Sequence, residues 1–115
     1  MSAILETFHE KVEITVVRKS DSENEDLYGS YFGIDGLKVF LTRMGNSFDT
    51  KSFSIENLIS ESDVAFANGQ FTHKVKATDK SFHSNWALCV TVNNGKISSY
   101  KFYEDSAAFE KANSK

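Results

Sequence analysis

The stretch Phe82–Asp105, FHSNWALCVTVNNGKISSYKFYED, decides how this chain folds. It reads as two strands, Phe82–Val92 and Lys96–Glu104, joined at Asn93-Asn94-Gly95. Asn and Gly accept the positive φ angles that a tight hairpin demands, so the reversal has a mechanism. From Trp86 to Val92 the first strand is apolar at nearly every position, with only Thr91 intervening. Such a run predicts a strand covered on both faces. The second strand places Tyr100 and Phe102 on one parity, Lys101 and Tyr103 on the other.

Working outward, the 115 residues suit one domain over 1–115, with room for a single core. Hydrophobic residues at 40% and charged residues at 25% exclude a disordered chain. The net charge of −3, with Lys and Arg scattered, leaves no basic footprint for nucleic acid. No apolar run approaches a membrane span, and the first residues, MSAILE, lack a signal-peptide pattern. Cys89 is the single cysteine, which rules out an internal disulfide and fits a reducing, cytoplasmic setting.

Upstream, Ser2–His9 has room for two helical turns at most, with Ile4, Leu5 and Phe8 on one face. Lys11–Val17 alternates Val12, Ile14 and Val16 against Glu13 and Thr15, the pattern of a half-buried strand. Arg18–Asp26 is a polar, acidic loop without the ligand register of a calcium site. Leu27–Phe32 carries aromatics around Gly29. Ile34–Met44 predicts a helix, with Asp35 as cap, Leu37, Phe40, Leu41 and Met44 on one face, and Gly45-Asn46 as its stop. Strands follow at Phe48–Ile59 and Asp63–Lys76, and Ser106–Ala112 predicts a closing helix capped by Asp105. That order describes an α+β domain with helices gathered on one face of a curved antiparallel sheet.

Several of these residues carry a family likeness. Gly29-Ser30-Tyr31-Phe32-Gly33 ahead of Leu37–Phe40, then Trp86, Asn94-Gly95-Lys96-Ile97 and Tyr103-Glu104-Asp105, resemble the SnoaL-like, ketosteroid isomerase-related group. That group belongs to the nuclear transport factor 2-like superfamily, and the likeness covers about residues 8 to 112. It implies a cone made by a bent, mixed sheet wrapped around helices. It also implies a mostly apolar pocket at the open end and homodimers paired through the outer sheet face.

Departures from the group's pattern shape what is expected of the pocket. Only Ser2–His9 stands where the group has a long roofing helix, so the resemblance implies an open pocket or a cover from elsewhere. Val16 and Ala87 fall where ketosteroid isomerases keep their two aspartates. Isopropyl and methyl groups neither move a proton nor donate to an oxyanion. The His-Trp-Asp run of related cyclases is absent too, with Tyr100 and Phe102 in that region.

With Ala87 taken as facing inward, strand alternation carries His83, Asn85 and Cys89 to the same face. The matching parity of the last strand holds Tyr100, Phe102 and Glu104. The expected pocket therefore has Val16, Phe40, Leu41, Asn85, Ala87, Tyr100 and Phe102 as ligand-binding residues. His83 and Glu104 are its catalytic candidates, an imidazole oriented by a carboxylate. Cys89 lies in an apolar strand, where burial suppresses thiolate. His9, His73 and His83 are too scattered for a metal site, and no cofactor is expected. Trp86 reads as packing and Asn68-Gly69 as a bulge or turn. Two functions stay open: a binder or enzyme for a small apolar molecule, and a non-catalytic dimeric module with a filled pocket.

Overall fold

The computed structural model describes residues 5–17 and 27–114. Six strands and two helices follow one another as β1 (Phe8–Val16), β2 (Gly29–Phe32), α1 (Gly33–Ser47), β3 (Phe48–Glu61), β4 (Val64–Val75), β5 (Lys80–Asn93), β6 (Lys96–Glu104) and α2 (Ser106–Ala112). The strands form one mixed sheet in the order β2-β1-β6-β5-β4-β3, open at both edges. β1 runs parallel to β6, and every other neighbouring pair is antiparallel.

The β5–β6 hairpin forms as expected. Asn93 pairs with Lys96, and Asn94 and Gly95 turn the chain at φ of 53° and 77°. Two successive positive φ angles match the right-handed twist of the flanking strands, which an ordinary turn would splay apart. At the other end of β6, the Asp105 carboxylate accepts the Ala108 N–H at 3.0 Å and caps α2. That cap satisfies one of the free amides at the helix start.

Several boundaries differ from expectation. β1 begins at Phe8, so Phe8 and His9 belong to a strand, and of the proposed first helix only Leu5 and Glu6 are helical among the described residues. Gly29–Phe32 is a short strand laid antiparallel on β1. Phe32, not Asp35, occupies the cap position of α1, without a side-chain cap bond, and Asp35 lies inside the first turn. The helix then runs through Gly45 and Asn46 to Ser47. Glycine only weakens a helix and does not end it, and the Gly45 carbonyl accepts the Lys76 ammonium at 2.6 Å. The acidic loop Arg18–Asp26 lies outside the described residues.

Both helices pack on one face of the sheet. Phe40 of α1 meets Tyr31 and Tyr100, with ring centroids 5.3 and 6.2 Å apart. Phe109 of α2 meets Tyr28, Phe48 and Phe82 at 5.2 to 5.5 Å. Val12, Ile14, Val16, Leu37, Phe71, Val75, Phe82 and Trp86 complete this inner core. The inner face bears both helices, and among the described residues the outer face bears none.

Strand register assigns every later residue to a face. Direct partners on neighbouring strands share a side, and successive residues alternate. Val16, Phe102, Leu88, Ala67 and Leu58 make one inner row from β1 to β3. Thr15, Lys101, Cys89, Phe66 and Ile59 make the outer row beside it.

Candidate functional site

The inner face holds a cavity of about 200 Å³ between α1, β1, β6 and the start of β3. Val16, Leu27, Phe40, Met44, Phe48, Phe53, Tyr100 and Phe102 supply its apolar wall. Thr50, His73 and Glu104 supply its polar points. The volume lies below the roughly 300–1,000 Å³ of sites for drug-sized ligands.

Glu104 reaches the cavity because of its register. It stands opposite Trp86, at the end of β6 and just before the Asp105 cap. Its Oε2 is buried with no hydrogen-bond partner among the described residues. Burial pushes the carboxyl up to about 7, although the Tyr28 hydroxyl beside it pulls it the other way. An acid in that setting changes charge close to neutral pH. Tyr100, two pairs along the same face, is pushed up to about 12 by burial and keeps its proton.

His73 is a second polar group of the wall, beside Thr50. It is nearly enclosed, stacked on Phe71 at 4.1 Å and on Phe48 at 4.7 Å. Its Nδ1 shares a hydrogen bond with the Thr50 hydroxyl at 3.1 Å. Nε2 makes no hydrogen bond among the described residues. Burial lowers its pKa, so the ring is neutral at physiological pH.

The expected site residues divide between the two faces. Val16, Phe40, Tyr100, Phe102 and Glu104 come together in the cavity. Leu41 packs at the margin of the core without lining the space. His83, Asn85 and Ala87 are corrected in position: all three are exposed on the outer face. There His83 pairs with Thr72, Asn85 with Gln70 and Ala87 with Asn68. His83 Nδ1 and the Thr72 hydroxyl are 2.9 Å apart, so the imidazole and Glu104 stand on opposite sides of the sheet and do not meet.

The misplacement has a physical origin. β5 is apolar on both parities beyond Trp86, so its pattern does not say which side is inward. Nearer its start the large aromatics do say: Phe82 and Trp86 are buried, and so is Ser84 between them. Ser84 is a polar residue on the core side because its hydroxyl accepts the Asp105 N–H at 2.9 Å and donates to the Asn85 carbonyl. His73, missed as a site residue, shows the same signal, since it alternates with Phe71 and Val75 on one parity of β4.

Trp86 and Gly69 fix the wall behind Glu104. The indole lies parallel to Phe53 and Phe102, at 4.9 and 5.8 Å, and donates to the Ser54 carbonyl at 3.2 Å. A Cβ on Gly69 would overlap that same carbonyl oxygen and come within 3.0 Å of the indole. Opposite Gly69, β3 carries an extra residue between Ile55 and Asn57, a bulge that brings the Ser54 carbonyl close. The glycine is there for space.

The outer face presents a second, shallower groove of about 380 Å³. Ile59, Phe66 and Tyr103 are its large exposed apolar side chains, with Ala87 and Cys89 between them. No group of His, Cys, Asp or Glu among the described residues is arranged to hold a metal. No described helix is long and apolar enough to cross a membrane.

Comparison with known proteins places this geometry. The family described as SnoaL-like domain matches residues 1–100. No curated protein matches the sequence. Among solved structures, an NTF2-like protein from Burkholderia xenovorans is similar over 98% of this chain and 82% of its own, at TM-score 0.85 and 20% identity. One from Burkholderia thailandensis is similar over 99% and 85%, at TM-score 0.83 and 21% identity. TerC co-crystallised with polyporic acid is similar over 96% and 83%, at TM-score 0.79 and 19% identity. At such identities the likeness is one of fold.

Proposed function

The chain belongs to the SnoaL-like domain family, and on that premise we propose that it binds a small, mostly apolar molecule in the cavity behind α1. One observation carries this reading: an apolar hollow with a buried acid at its wall, one of whose oxygens has no hydrogen-bond partner among the described residues. Native proteins rarely leave a buried acceptor without a partner, and a ligand is one way to supply it. Phe40, Tyr100, Phe102 and Val16 would clasp the apolar body, and Glu104 would hold the polar end. TerC, which shares the fold, was crystallised with polyporic acid.

Glu104 is also the group there suited to proton transfer, since burial brings its carboxyl to about 7. We take it as the acid–base candidate without His83, which faces the other way. The single cysteine fits work in a reducing cytoplasm. A thermal-shift screen of single-ring and two-ring compounds tests the reading. Ligands should raise the melting temperature of the parent and lose that effect in Val16→Phe, which fills the cavity. If no compound stabilises the parent, or if Val16→Phe responds as the parent does, the reading fails.

The outer groove favours a second element: pairing of two copies through Ile59, Phe66 and Tyr103. Apolar patches of this kind mark interaction surfaces. If the inner cavity stays empty of any ligand, this surface becomes the basis of the alternative, a non-catalytic dimeric module.

A further inference from the structure

Three features of the cavity wall narrow the chemistry of what it holds. Among the described residues Glu104 is the only carboxylate in the wall, and its Oε2 lacks a partner. No Lys or Arg lines the space among the described residues. Five aromatic side chains do, from Phe40, Phe48, Phe53, Tyr100 and Phe102. These belong to α1, β3 and β6, so rings meet the space from more than one element.

Each ligand class can be set against that wall. An anion would face a carboxylate with no basic side chain to balance it, and like charges in a low-dielectric space repel strongly. A neutral alcohol or ketone could share a proton with Glu104 but would gain nothing particular from the rings. A cation satisfies both features, because aromatic faces attract positive charge and a carboxylate completes the pair.

We infer that the ligand carries a protonated amine, seated against the Glu104 carboxylate and among the aromatic rings of the cavity. This rests on the proposed reading of the cavity as the binding site and adds the chemical class of the occupant. Its apolar remainder fills the space along Val16, Phe102 and Phe40. A lone buried acid is costly to ionise, and the arriving ammonium offsets that cost, so binding and ionisation of Glu104 are coupled. Among the described residues, the other titratable groups that face the acid do not compete for the cation. Tyr100 on β6 keeps its proton, burial holds the His73 ring on β4 below its ordinary pKa, and the Tyr28 hydroxyl beside the carboxyl lowers its pKa. From β5 the neighbour is Trp86, from α1 they are Phe40 and Met44, and the Asp105 carboxylate is engaged as the cap of α2.

Calorimetric titration with 2-phenylethylamine and with 2-phenylethanol, its uncharged counterpart, tests the inference at pH 6 and pH 8. The amine is protonated at both. Because it binds the ionised acid, its apparent affinity should rise about tenfold from pH 6 to pH 8, following the ionised fraction of a group titrating near 7. The alcohol should bind at least about tenfold more weakly than the amine at pH 8 and show no such rise. Glu104→Gln should abolish both the preference and the pH dependence. Should that variant not fold, the pH dependence in the parent decides alone. Equal binding of the two probes, or amine binding that is flat with pH, overturns the inference while the cavity reading stands. Binding of neither overturns the inference and counts against the cavity reading as well.

Discussion

Glu104 on β6 and Trp86 on β5 are direct partners across the inner face of the sheet, and His83, three residues before the tryptophan, points to the other side. The acid therefore lies over aromatic rings and away from the imidazole that sequence reasoning paired with it. Its pH behaviour follows from that enclosure. Below pH 4.5 the group carries its proton in both folded and unfolded chains and has no effect on stability. As pH rises from 4.5 to about 7 the unfolded chain releases the proton first, so the folded state loses stability. Above that window the loss is complete and constant. The displacement corresponds to about 3 kcal/mol at most. Glu104→Gln carries no such proton, so its stability relative to the parent should climb through this window and then level off. Urea unfolding of both proteins between pH 4 and pH 9 measures it, and a pH-independent difference would contradict the account.

His83 is exposed and has the Thr72 hydroxyl as its partner. His83→Ala should change stability by less than about 0.5 kcal/mol and leave any ligand-induced thermal shift as it is in the parent. His73→Ala removes a ring stacked on Phe71 and Phe48 and should cost about 2–4 kcal/mol. Thermal unfolding of the two variants with and without ligand separates them. A larger loss of ligand response from His83→Ala would return the outer imidazole to the site.

The outline of this fold was legible in the chain. Asn94-Gly95 and the capping Asp105 are local signals that formed as read, and Val12, Ile14 and Val16 are buried together, with Thr15 between them buried as well. The cavity was half legible. Tyr100 and Phe102 came from strand parity, Phe40 from helix spacing, and Val16 from the family resemblance. What the pattern did not carry was the inward side of β5. Phe82 and Trp86 mark it, but Ser84 between them looks like an outward residue until its hydroxyl meets the Asp105 N–H, 21 residues away. His73 was hidden for a related reason: a histidine in a strand looks polar until the aromatic neighbours that bury it, Phe48 and Phe71, are brought alongside.

Gly69 offers a test of the wall itself. An added methyl would meet the Ser54 carbonyl and the Trp86 indole, so β3 must shift to admit it. Gly69→Ala should cost about 1–3 kcal/mol, the usual range for overpacking. Tryptophan fluorescence should change as the bond from Nε1 to the Ser54 carbonyl is disturbed. An unfolding midpoint and emission spectrum equal to the parent's would show that the seam between β3 and β4 is looser than described.

On the outer face, Ile59 and Phe66 are direct partners across β3 and β4, and both are more than half exposed. Sedimentation velocity should show a dimer for the parent and a monomer for the double variant Ile59→Glu, Phe66→Glu, because charge in an apolar contact is strongly disfavoured. A monomeric parent would remove the pairing.

The most direct test of the account is amide and methyl chemical-shift mapping by NMR as small aromatic amines and alcohols are titrated in. The account predicts perturbations that gather at Val16, Phe40, Tyr100, Phe102 and Glu104, the residues that converge on the inner cavity. Shifts confined to Phe66, Ala87, Cys89 and Tyr103 in the outer groove, or no saturable shifts at all, would contradict it.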